Sequence, residues 1–106
     1  MIDPFICEVE ARGDDLWVLP QGDLDLGAAI EFQESIALAL ASDANAIVVD
    51  LRGLELLDSS GLRLLLEARA GEHGARVSFV PGNDMVQAVF RISGLLDELP
   101  FRSAEA

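Results

Sequence analysis

The sequence predicts an α/β domain, a sandwich of mixed-direction strands and amphipathic helices. Three observations carry that expectation. An opening pair of short apolar segments is joined by turn residues. A continuous apolar run, AIVVDL, lies near the middle. Helical 3.6-residue periodicity alternates with strand-like runs on either side of it. At 106 residues, about half of them apolar, one domain with its own core is the natural expectation. Its core is expected over about 5–101, with a short polar tail over 102–106.

Taken in order, FICEVE (5–10) and LWVLPQ (16–21) read as two strands of a hairpin, because Gly13 and the paired aspartates between them are turn chemistry. Pro20 cannot donate to a ladder, so the second strand is expected to expose that position or to bulge there. GDLDLG (22–27) reads as a polar, glycine-bounded loop. From Ala28 to Ala41 the pattern is helical, with Phe32, Ile36 and Leu40 recurring at i, i+4 and i+8. Residues 46–51, rich in β-branched side chains and without polar alternation until Asp50, read as a strand covered on both faces.

RGLELLD (52–58) is expected to be a loop. A second helix follows to about Ala70, with Leu62, Leu65, Leu66 and Arg69 on one face. GEHGA is a turn, and RVSFV is a strand presenting Val77, Phe79 and Val80. PGND breaks the chain and offers Asn83 or Asp84 as an N-cap. Met85, Val86, Val89 and Ile92 mark a third amphipathic helix, which SGLL ends.

Composition narrows function by exclusion. The formal net charge is −12 and the seven basic residues are all Arg, with no basic run. Phosphate neutralisation needs a basic footprint, so nucleic-acid binding is not expected, and anionic membrane surfaces would repel the chain. A partner carrying a complementary basic patch fits better. No apolar run approaches the ~20 residues of a membrane span and no signal pattern opens the chain, so no membrane insertion and a cytoplasmic location are expected. Cys7 is alone, which rules out an internal disulfide.

Catalysis and cofactors find no support. A serine nucleophile needs a base, the only histidine is His73 in a glycine-flanked turn, and no G-x-S-x-G elbow surrounds Ser59 or Ser60. One Cys and one His cannot build a zinc site, and the acids do not match a calcium loop. We therefore expect no enzyme activity, metal or cofactor.

What stands out is Asp58-Ser59-Ser60-Gly61 at the junction of loop and helix. Asp and Ser there are good N-caps, worth ~1 kcal/mol. Gly61 costs up to ~1 kcal/mol against Ala inside a helix and lets something approach the backbone closely. The same helix N-terminus tolerates an anion. A phosphate on a serine there would add about −1.5 to −2 charge to the surface without unfolding the chain. Thr and Tyr are absent, so hydroxyl phosphorylation has seven serines to choose from: 35, 42, 59, 60, 78, 93 and 103.

Three motifs in order, Gly22-Asp23-Leu24-Asp25, then Asp50-Leu51 with Asp58-Ser59-Ser60-Gly61-Leu62, then Ile92-Ser93-Gly94-Leu95, resemble the STAS domain of bacterial anti-sigma factor antagonists. The resemblance spans about Phe5 to Phe101. It implies a mixed four- or five-stranded sheet with helices mainly on one face. It also implies partner switching, in which the unphosphorylated antagonist binds an anti-sigma factor that is a serine kinase, and phosphorylation releases it. A phosphatase then resets the cycle. Carried over by position, the acceptor is Ser59, and Asp23, Asp25, Asp58, Ser60 and Gly61 lie with it on the docking face. STAS domains also serve as subunits or appendages of membrane transporters, lipid-transport ABC systems among them, or as signalling scaffolds. Those uses are the alternative.

Overall fold

A computed structural model describes residues 4–104. The chain opens with β1 (Ile6–Arg12) and β2 (Asp15–Leu24), then α1 (Ala29–Ala41) and β3 (Ile47–Asp50). A 3-10 turn (Leu51–Gly53) leads to β4 (Leu54–Leu57) and α2 (Ser59–Ala70). A second 3-10 turn (Gly74–Arg76), β5 (Val77–Val80) and α3 (Asp84–Ile92) complete it. The sheet has five strands in the order β1-β2-β3-β5, with β4 also paired to β2. Among the described residues only β1–β2 is antiparallel; the other pairings are parallel. The expected mixed sheet after an opening hairpin is therefore what forms.

β2 is long enough to hold two successive parallel partners. Its first part pairs with β3 through Leu16–Val18, and its end pairs with β4 through Gly22, Asp23 and Leu24. This corrects two expectations, since part of GDLDLG and most of RGLELLD are strand rather than loop. The register slips between Gly22 and Asp23, and Gly22 adopts φ of 99°, a conformation that disfavours any side chain. Pro20 is also corrected. It is buried and opposite Cys7 in the β1–β2 ladder, and the irregularity falls two residues later. Its missing N–H is tolerated because residue 20 lies in the gap between the β3 and β4 pairings.

The helices cover one face. Phe32, Ile36 and Ala39 of α1, Leu65 and Ala68 of α2, and Val86 and Phe90 of α3 form one core with Val18, Ile47, Val49, Val77 and Phe79 of the sheet. On the other face Trp17, Val48 and Val80 form a smaller cluster, covered by Leu19 and Ala104 and by Arg12, whose guanidinium lies 4.0 Å from the Trp17 ring centre. β3 is thus buried on both faces, as its unbroken apolar run requires. The tail joins the fold through Phe101, which bridges β5 and packs edge-on against Phe90.

Two helical faces differ from expectation. α2 turns Gly61, Leu65 and Ala68 inward, so Leu62 and Leu66 are only half-buried. α3 turns Val86 and Phe90 inward and leaves Met85 and Ile92 exposed. Asn83 is the N-cap of α3, accepting from the Val86 N–H at 2.9 Å.

The C-terminus of α1 is tied down from a distance. Arg76 donates to the carbonyls of Leu40 (2.8 Å), Ser42 (3.2 Å) and Ala44 (2.6 Å). The Leu40 and Ser42 carbonyls are ones that the helix end leaves without partners, and Ala44 belongs to the loop that follows. Arg76→Ala is expected to cost about 2 kcal/mol, because charge-assisted bonds to carbonyls are worth more than neutral ones. Urea unfolding of both proteins checks this.

Candidate functional site

The parallel pairing of β2 with β4 brings the two acidic motifs to one end of the sheet. Asp23 lies opposite Leu56 and Leu24 opposite Leu57, so both strands finish side by side. Asp25 follows β2 directly and Asp58 follows β4. The Asp58 N–H donates to the Leu24 carbonyl at 3.3 Å, which fastens the start of α2 to the end of β2.

Asp58 caps α2. Its Oδ1 accepts from the backbone N–H groups of Ser60 (2.9 Å) and Gly61 (3.1 Å). Two of the helix's orphan donors are satisfied in this way. Ser59 is the first helical residue and is exposed, while Ser60 is half-buried. The Ser59 hydroxyl is therefore presented to solvent at the positive end of a helix.

Gly61 is buried, and what approaches it is the chain itself. A Cβ at position 61 would stand 2.7 Å from Leu24 Cγ, from the Leu24 carbonyl oxygen and from Leu57 Cδ1. Its lack of a side chain lets α2 seat on the ends of β2 and β4. The structure thus gives Gly61 a seating role behind Ser59, with surface contact left to its neighbours.

Asp25 shapes the adjacent loop, its Oδ1 accepting from the Ala28 N–H at 3.1 Å just before α1. Asp23 and Asp25 line an open acidic concavity of about 390 Å³ with Phe5 and Glu31. Phe5 and Glu31 were not among the residues singled out from sequence, and only the fold brings them there. Among the described residues no group of three His, Cys, Asp or Glu is placed to hold a metal ion. His73 is exposed in its turn. Burial pushes the Cys7 thiol up, against a hydrogen bond from Ser35.

Asp50 anchors the turn that leads into β4. It is 4% exposed and accepts from the Arg52 N–H (3.1 Å), Nε (3.0 Å) and Nη2 (2.7 Å), which closes the turn from β3 to β4. Burial pushes its carboxyl up, but the Arg52 hydrogen bonds and the charges of Arg52 and Arg12 outweigh burial and hold it below the ordinary 3.8. A folded-state pKa below the unfolded one stabilises the protein above about pH 4. That stabilisation is lost as pH falls through the folded value. Asp50→Asn is therefore expected to be less stable than wild type at pH 7. The gap should shrink in urea melts as pH is taken below 3.8.

The family model described as Mlab, STAS domain matches residues 7–100. The chain belongs to the STAS-domain family. A STAS-domain containing protein of Pseudomonas aeruginosa (strain UCBPP-PA14) is 35% identical over 85 residues, covering 78% of this chain and 83% of the relative. Among solved structures, an anti-sigma factor antagonist from Mycobacterium paratuberculosis superposes with TM-score 0.84 at 23% identity, covering 95% of this chain and 89% of that one. At that identity the likeness is one of fold.

The anti-sigma factor antagonist SpoIIAA, unphosphorylated, gives TM-score 0.69 at 26% identity over 94% of this STAS domain and 90% of its own chain. The phosphorylated form of SpoIIAA, from Bacillus, gives 0.60 at the same identity, over 96% of this chain and 94% of that one. The expected STAS fold is thus present, and the general kind of protein, one resembling anti-sigma factor antagonists, is shown with it. No helix among the described residues is long and apolar enough to cross a membrane.

Proposed function

We propose that this STAS domain is a cytoplasmic anti-sigma factor antagonist switched by phosphorylation of Ser59. Unphosphorylated, it binds an anti-sigma factor that is also a serine kinase and so frees a sigma factor for transcription. Phosphorylated, it lets go, and a phosphoserine phosphatase restores it. The docking surface is the end of the sheet that carries Asp23, Asp25, Asp58, Ser59 and Ser60, seated on Gly61.

The observation that carries this reading is the placement of Ser59. It is exposed at the first position of a helix whose cap is supplied by the preceding Asp58, so a kinase reaches the hydroxyl without opening the fold. Asp23 and Asp25 belong to the same end of the sheet, because β4 pairs with the end of β2. A structure of SpoIIAA in its phosphorylated form supports the same fold accommodating a phosphoryl group. The other serines lack this setting. Ser35, in α1, is half-buried, and Ser42 turns its hydroxyl onto the Ala39 carbonyl.

The test is an intact-mass spectrum of the protein from its own host, followed by peptide mapping across 51–63 and identification of what copurifies. One phosphate on Ser59 and a copurifying soluble kinase are expected. A phosphate mapped elsewhere overturns the assignment. A chain never phosphorylated that copurifies with a membrane ATPase overturns the switch.

A further inference from the structure

Helix α3 carries more apolar surface than the core uses. At about 100° per residue, positions 86, 89 and 90 lie towards the sheet, with Val86 and Phe90 buried. Met85 and Ile92 continue the same apolar arc outward, 65% and 84% exposed. Together with Val89 they fall within about 60° of one another, a stripe rather than scattered exposure.

We infer that this stripe is a self-association surface on which α3 packs antiparallel against α3 of a second copy of the chain. The flanking charges select that occupant. Asp84 and Arg91 are seven residues apart, so they share one flank of the stripe and stand about 10 Å apart along the axis. A twofold axis perpendicular to the helix keeps equivalent flanks on the same side and reverses direction. Met85 then meets Ile92 of the second copy, Val89 lies within about 2 Å of register with its twin, and Asp84 falls about 3 Å along the axis from Arg91 of the second copy, a gap the long arginine side chain spans.

The contact is independent of the Ser59 switch. α3 is fastened at the start of β4, where Asn83 Nδ2 donates to the Leu54 carbonyl at 3.3 Å, whereas Ser59 follows the end of that strand. Nine residues make a helix only about 13 Å long, less than a standard interface of about 1,200–2,000 Å² needs. The −12 charge on each copy also opposes association. The dimer is accordingly weak and concentration-dependent.

Sedimentation equilibrium of the whole chain tests it, from about 10 µM to 1 mM, at ~0.15 M salt, where screening reaches ~8 Å. Dimer formation is expected, weakened at least about tenfold by Ile92→Glu, as for loss of one of the main apolar contacts of the interface. Circular dichroism of that variant should be unchanged, because the side chain is exposed. Asp84→Arg and Arg91→Asp should each weaken the dimer, and the double exchange should restore it. A chain that stays monomeric throughout overturns the inference, as does a dimer indifferent to Ile92→Glu. Failure of the double exchange to restore association overturns the antiparallel arrangement, and a monomer that uses Met85 and Ile92 to hold a different protein overturns the second copy as occupant.

Discussion

Phosphorylation of Ser59 is expected to weaken binding to the partner kinase by at least about a hundredfold while leaving the fold intact, since like charge placed in an interface costs several kcal/mol. The phosphoryl group adds about −1.5 to −2 charge to a sheet end that already carries Asp23, Asp25 and Asp58. A partner whose basic patch matches three carboxylates meets a denser and bulkier anion at the centre of the contact. The fold should tolerate this, because Ser59 is exposed at a helix N-terminus. Asp58 already holds the Ser60 and Gly61 N–H groups, so the helix keeps its cap. Titration calorimetry with authentic phosphoprotein is the direct measurement. Ser59→Ala should bind like the unphosphorylated chain, and Ser59→Asp should fall between, because it carries a single charge. If phosphoprotein binds as tightly as unmodified protein, the electrostatic account is wrong.

The residues at the heart of that prediction were legible because each is polar where local patterning makes polarity informative. Asp58 precedes a helical run by one residue, which is cap chemistry, and the cap bonds confirm it. β3 announced itself through four consecutive buried positions, Ile47 to Asp50. β4 did not. Its residues Leu54, Glu55, Leu56 and Leu57 alternate neither by two nor by four, with burial at the two ends and exposure between. Four residues without a β-branched side chain carry no strand signal, and the pairing with β2 that creates the strand is long-range. Because the local sequence at β4 reads as loop, the pairing that brings Asp23, Asp25 and Asp58 to one end of the sheet is hidden as well. The apolar arc of α3 misled in another way. Periodicity finds the apolar face of a helix but not which edge of it meets the sheet, so Met85 and Ile92 looked like core.

The same long-range pairing explains why Gly61→Ala is expected to destabilise the domain by about 2 kcal/mol, although alanine is the better helix former by up to ~1 kcal/mol. Intrinsic propensity is overruled by a steric fact invisible in the local sequence. The new Cβ would lie 2.7 Å from the Leu24 carbonyl oxygen, and backbone cannot rotate aside as the end of a side chain can. The helix start must therefore lift from β2 or the strand end must shift. Either movement lengthens the Asp58 N–H to Leu24 carbonyl bond and shifts Ser59 relative to the end of β2. Two losses should then appear together, a lower urea midpoint and slower phosphorylation of Ser59 by the partner kinase. Arg63→Ala, on the exposed side of α2, should lower stability far less, because its ion pair with Glu67 is solvated and 3.6 Å long. A Gly61→Ala protein as stable as wild type would mean that α2 does not rest on Leu24 as described. One that is destabilised but phosphorylated at the normal rate would separate the seat of the helix from the presentation of the serine.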